Sequence, residues 1–278
     1  MGPLLEMLTV QASAFVLALA ALGLGIAWQR RDPRPRRFAG LVLIAGLVGA
    51  TLAQTGLPRV PFGEGSLRAS DRLFWLLLAA VPLVLSTWRH ALIPLALVLP
   101  VVIADAFGEL GLAGGAWVVT LALPLGTAAL VLCGDGLFRA RPGRTSAVQL
   151  GLWVGLASGA IGATGSAAYA SWLGGLGLAY GLTVLRAWRK GTAGHIDGGS
   201  TALWTAGFLF MAQQYSYLDA MDALLVAAAL PLSLLASALP LKPAPRLVLG
   251  WLLLLAPIAW AGVRMYLAWE PDPYAGYY

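Results

Sequence analysis

Cysteine, histidine and charge are all scarce in this chain. A single cysteine, Cys133, lies inside an apolar run, which excludes an internal disulfide and leaves no thiolate set for an iron–sulfur cluster or zinc. The two histidines, His90 and His195, fall in short polar connections, so no pair of axial ligands at membrane depth, and no haem, is expected. Charged residues make up 11% of the 278 positions and hydrophobic ones 59%, with a mean hydropathy of +0.80. A soluble domain of that composition would have too little polar surface, so a bilayer must be the main solvent. No Ser/His/Asp set, metal-ligand spacing, Walker loop or dinucleotide fingerprint occurs, so no catalytic residue and no metal site is assigned. The opening segment, Met1 to Met7, carries Glu6 and no basic residue. It lacks the positive region of a signal peptide, and the first hydrophobic segment is expected to be retained as a helix.

What is present is a succession of apolar runs. A span needs about 20 apolar residues to cross about 30 Å of hydrocarbon. Cut at its charged and Gly/Pro-rich punctuation, the chain yields ten, near 8–28, 38–57, 73–88, 91–107, 116–137, 147–166, 169–188, 201–217, 221–240 and 247–268. The nearly uncharged stretches Ala147 to Trp188 and Thr201 to Leu239 must each fold back on themselves, because about 40 helical residues reach twice the core thickness. The expected fold is therefore all-α, a polytopic transmembrane bundle forming one integral membrane domain over residues 1–278.

Basic residues orient that bundle, since short cytoplasmic loops collect Lys and Arg. The connections after spans one, three, five, seven and nine hold fourteen of the eighteen basic residues, and only three of the twelve acids, Asp32, Asp135 and Asp197. Both termini are expected on the outer side of a cytoplasmic (inner) membrane. The arginines beside span ends are explained by insertion and by anionic lipid, so a pI of 9.8 gives no reason to expect nucleic acid.

Glycines at four-residue spacing, Gly151, Gly155 and Gly159 in the sixth span and Gly177 and Gly181 in the seventh, predict a tight hairpin of small-residue faces. Pro82, Pro94, Pro100, Pro124, Pro231 and Pro257 interrupt helices and invite kinks. Trp28, Trp88, Trp188 and Trp204 at the inner boundary and Trp117, Trp172 and Trp269 at the outer have the spacing of interfacial anchors.

Ionisable groups inside a membrane are functional suspects by default. Asp105, in the fourth span, and Arg264, in the last, lie at similar calculated depths near the outer end, and an ion pair between them is expected. Asp135 reads as a helix-end carboxylate near cytoplasmic arginines. The densest polar segment is Gln213 to Asp222, on the outer side, containing Tyr215, Tyr217 and the i, i+3 carboxylates Asp219 and Asp222. The second connection adds Arg59, Arg68, Asp71 and Arg72, the only basic cluster held against the positive-inside trend. Together these residues form the candidate ligand- or partner-binding face.

Two stretches carry a resemblance: the opening span Thr9 to Leu24, and Thr51-Leu52-Ala53-Gln54-Thr55-Gly56-Leu57-Pro58-Arg59 followed by Leu67-Arg68-Ala69-Ser70-Asp71-Arg72. They resemble the membrane-anchor subunits of the dimethyl-sulfoxide reductase and polysulfide reductase class, which hold redox subunits on the membrane and exchange electrons with quinone. The resemblance implies a noncatalytic subunit with protein partners on its outer face and Arg59, Arg68 and Asp71 beside a quinone pocket, with no covalently bound cofactor. Gln54 stands near the place where that class has a histidine, and ten spans stand where it has eight. Ten helices dividing five and five also suit a transporter of small solutes or lipids. A membrane lipid-processing enzyme is the third reading.

Overall fold

A computed structural model describes residues 3–31, 38–59, 69–85, 91–105, 122–140, 144–164, 166–190, 197–215 and 218–268. Among them there is no strand, and ten helices follow one another: α1 (Pro3–Arg31), α2 (Phe38–Thr55), α3 (Ala69–Leu85), α4 (Leu92–Asp105), α5 (Leu123–Ala140), α6 (Arg144–Ala163), α7 (Ala167–Lys190), α8 (Gly198–Tyr215), α9 (Ala220–Ala238) and α10 (Pro243–Ala268). Five of them contain stretches long and apolar enough to cross a membrane: Leu8–Ala27, Arg144–Ala163, Ala167–Arg189, Ala220–Ala238 and Pro243–Ala268. Three shorter helices, Ala39–Thr55, Leu92–Val102 and Leu123–Phe138, are also apolar. The two long uncharged stretches break as their lengths require, between α6 and α7 and between α8 and α9.

Hydrophobic side chains cover both the interior and much of the exterior. Val16, Leu24, Leu252, Trp260 and Leu267 on the first and last helices are among the exposed large residues. An apolar exterior of this extent suits lipid rather than water. Helix α1 packs on α2 and α7, and α10 on α9 and α6, so both terminal helices lie at the periphery. Helix α8 is the encased one. It touches α2, α4, α5, α6, α7 and α9, and every residue from Asp197 to Ala212 is buried.

An encased helix with Ser200, Thr201 and Thr205 must satisfy its hydroxyls internally, and its two threonines do so along its own backbone. The Thr201 and Thr205 hydroxyls donate to the carbonyls of Asp197 and Thr201, both at 2.8 Å. Thr51, Thr55 and Thr127 bond back four residues in the same way.

The glycine hairpin forms, but through different atoms than the spacing predicts. Helices α6 and α7 are joined by the Tyr180 hydroxyl donating to the Ala147 carbonyl at 2.9 Å and the Ser158 hydroxyl to the Ala170 carbonyl at 2.9 Å. Gly151 faces the Tyr180 ring, yet Gly155, Gly159 and Gly181 have no neighbour within 4 Å of a Cβ built there. Close backbone approach occurs instead where Gly134 of α5 meets Gly198 of α8, each Cβ position colliding with the other's carbonyl. The tryptophan assignment also needs correcting at two places. Trp172 and Trp204 are 3% and 1% exposed, inside the bundle, with the Trp172 ring edge-on to Phe208. Trp188 does lie at a rim, 37% exposed with the Arg144 guanidinium over its ring.

Pro82, Pro100, Pro231 and Pro257 sit inside helices, whereas Pro94 falls in the first turn of α4, where no backbone bond is lost.

Candidate functional site

Where α9 begins, a sequence of acids in and beside the first turn meets the far end of α10. Asp219 is the N-cap of α9, its carboxylate accepting from Met221 N at 2.9 Å. Short polar side chains at this position satisfy otherwise orphaned amides. Asp222, three residues on, turns to the same side. The Arg264 guanidinium of α10 joins both: Nε donates to Asp222 Oδ1 at 2.7 Å and Nη2 to Asp219 Oδ1 at 3.0 Å. The Asp222 side chain is 6% exposed and that of Asp219 57%. The clamp therefore has a buried arm and an open one. Both carboxylates also lie at the positive end of the α9 dipole. Arg264 thus spends two donors within this rim, while the side chain of Asp105, its expected partner, lies outside the described residues.

The second predicted cluster is built around a turn. Helix α2 ends at Thr55, and Gly56, with φ of 73°, supplies the left-handed residue that closes it, its amide bonding to the Leu52 carbonyl at 3.0 Å. Pro58 follows, and the Arg59 backbone is fixed twice. Its amide donates to Asp71 Oδ1 at 3.1 Å, and its carbonyl accepts from Trp75 Nε1 at 2.9 Å. Asp71 is 1% exposed and lies in the first turn of α3. It therefore ties the α2 exit to the α3 entry.

The two clusters are carried by elements with different neighbours. Helix α3 packs on α2 and α4, and α9 on α5, α6, α8 and α10. Arg68 and Tyr217, and the side chain of Tyr215, lie outside the described residues.

Sequence reasoning overlooked a third polar junction, at the start of α8. Asp197 caps that helix, accepting from Ser200 N at 2.9 Å and from the Ser200 hydroxyl at 2.7 Å. Asp135, from α5, accepts from Gly199 N at 2.9 Å. The Asp197-Gly198-Gly199-Ser200 run was a readable cap signal. The partnership with Asp135 was not, because it joins residues 64 apart. No group of three or more His, Cys, Asp or Glu that could hold a metal occurs among the described residues.

No family model, no curated protein and no solved structure matches this chain. The candidate site must therefore be read from its own chemistry. Its parts offer carboxylates and a guanidinium already engaged with one another at a rim, anchored backbone and one open carboxylate. That is the makeup of a fixed polar surface, suited to recognising a charged or hydrogen-bonding group.

Proposed function

We propose that the chain is a ten-span protein of the cytoplasmic membrane, both termini outward, serving as a noncatalytic subunit that anchors a larger quinone-linked redox assembly. Its outer rim, from Arg59 to Arg72 and from Tyr215 to Asp222, is the docking face. One observation carries the reading: both described parts of that rim are held in fixed geometry by ties that reach across helices, Arg264 to Asp219 and Asp222 in one and Asp71 and Trp75 to Arg59 in the other. A rim held this way does not need to be ordered when a partner arrives, and that lowers the cost of docking.

Support for the threading comes from the opposite end of the bundle. The end of α5 and starts of α6 and α8 are joined there by Ser146 Oγ to the Leu137 carbonyl and by Gly199 N to Asp135, while Arg144 stacks on Trp188 near the end of α7. That end is rich in arginine, with Arg139, Arg141, Arg144, Arg186 and Arg189 on or beside it in sequence. The pattern is that of a cytoplasmic edge.

The partner reading is tested by replacing Arg59, Arg68 and Arg72 together with Gln and extracting wild type and variant in mild detergent for mass spectrometry. Defined proteins that copurify with wild type and are lost from a folded variant are the expected result. The same partners on both would reject the face.

A second reading, a transporter of a small solute, draws on a different observation. Polar atoms without partners are buried within the helices: both ends of the Gln149 amide, the indole nitrogens of Trp172 and Trp204, and the Ser233 hydroxyl. In a bilayer such atoms have no water to turn to, and solute pathways are lined by groups of this kind. Purification without partners, with stabilisation by a solute, would favour this reading.

A further inference from the structure

Helices α6 and α9 share a seam whose register is fixed by a direct bond at one end and through α5 at the other. At one end the Trp153 indole of α6 donates to the Val226 carbonyl of α9 at 2.7 Å. At the other, Ser146 of α6 donates to the Leu137 carbonyl of α5, and a Cβ at the adjacent Gly136 would touch Leu234 of α9 at 3.1 Å. The later residue of α6 thus meets the earlier residue of α9, and the helices run antiparallel. Seven residues of α6 match eight of α9, about 10 and 12 Å at 1.5 Å per residue.

Gln149 and Ser233 fall between these ties. Gln149 stands four residues before Trp153, on the helix face whose indole reaches α9, and Ser233 stands seven after Val226, on the same buried face of α9. Both are 0% exposed, and their axial positions fall within one helical turn of each other. The Gln149 side chain leans toward the start of its helix, the direction of the Ser233 level. Yet neither amide atom of Gln149 nor the Ser233 hydroxyl has a hydrogen-bond partner. An amide offers two donors and two acceptor sites and a hydroxyl one donor and two. Leaving them bare in a low-dielectric interior is costly.

We propose that this seam is a binding site for a small uncharged molecule able both to donate and to accept hydrogen bonds, held between the Gln149 amide and the Ser233 hydroxyl. The buried faces beside it, Ser146 to Ile161 on α6 and Val226 to Ala236 on α9, carry no ionisable side chain. A charged guest would have no counterion there, whereas resident water, or the hydroxyl or amide of a neutral solute, matches the groups present. The inference is independent of the rim that carries the first reading and shares the bare Gln149 and Ser233 atoms with the second.

The test uses Gln149→Met, Ser233→Ala and the double variant of the full chain in nanodiscs, with reversible unfolding as readout. Both substitutions keep the shape and remove the polar atoms. With a guest in place, each single change lowers the folded-to-unfolded ratio about fivefold or more, and the double variant loses clearly less than the product, because both residues share one guest. If the seam is dry, removing bare polar atoms raises the ratio, and that result, or strictly multiplicative losses, overturns the proposal. The source of the guest is read in proteoliposomes by stopped-flow swelling in glycerol and urea. Swelling that depends on Gln149 identifies a neutral solute, and swelling indifferent to it, alongside the coupled losses, identifies resident water.

Discussion

Arg264 Nε lies 2.7 Å from Asp222 Oδ1, and this one bond ties the last helix to the start of α9 at a depth where the carboxylate is 6% exposed. The sharing of the guanidinium with Asp219 places a cap, a buried acid and a base in a single unit.

Arg264→Gln is expected to lower the thermal midpoint more than Asp219→Asn does, because it leaves Asp222 buried and uncompensated whereas Asp219 remains solvated. Adding Asp222→Asn to Arg264→Gln should recover part of the loss. A double-mutant cycle read by thermal unfolding checks this, and additive losses would show that the two side chains do not act as a pair.

Glycine substitutions separate two kinds of position. Gly134→Ala puts a methyl group into the Gly198 carbonyl and is expected to cost about 1–3 kcal/mol by forcing α5 and α8 apart. Gly155→Ala and Gly159→Ala meet open space and should be neutral or gain up to about 1 kcal/mol each from helix propensity. Unfolding of the three variants in mixed micelles measures the contrast, and equal effects would remove the distinction.

Trp153→Phe removes the indole donor from a fully buried seam and leaves the Val226 carbonyl without its side-chain partner. A loss of about 0.5–1.5 kcal/mol is expected from the missing bond alone. Phe at this position with wild-type stability would mean that the bond contributes nothing.

How much of this was legible in the sequence depends on which coordinate is asked for. Position along the chain was readable, because hydropathy and length report where a helix must begin and fold back, and the breaks after Ala163 and Tyr215 fall close to the expected joins. The start of the fifth span, expected at residue 116, lies outside the described residues, and α5 is described from Leu123. Rotation about the helix axis was not readable. Trp172 and Trp204 have the same one-dimensional signature as rim anchors but face the interior, and Gly155 has the same spacing as a packing glycine but faces outward. In lipid both faces of a helix are apolar, so the pattern that separates inside from outside in a soluble helix is lost. The candidate site shows the same division. Asp219, Asp222 and Arg264 stood out as charges near membrane level, but their pairing spans 42 and 45 residues and required the fold.

Accessibility of engineered cysteines tests the ten-span arrangement most directly. In a Cys133→Ala background, single cysteines at Ala113, Ala193 and Ala244 are exposed to a membrane-impermeant thiol reagent in intact cells. The arginine alternation predicts labelling at 113 and protection at 193 and 244 until the membrane is permeabilised. Labelling at 193 and 244 with protection at 113 would contradict the orientation, and labelling at all three in intact cells would contradict the ten-span threading itself.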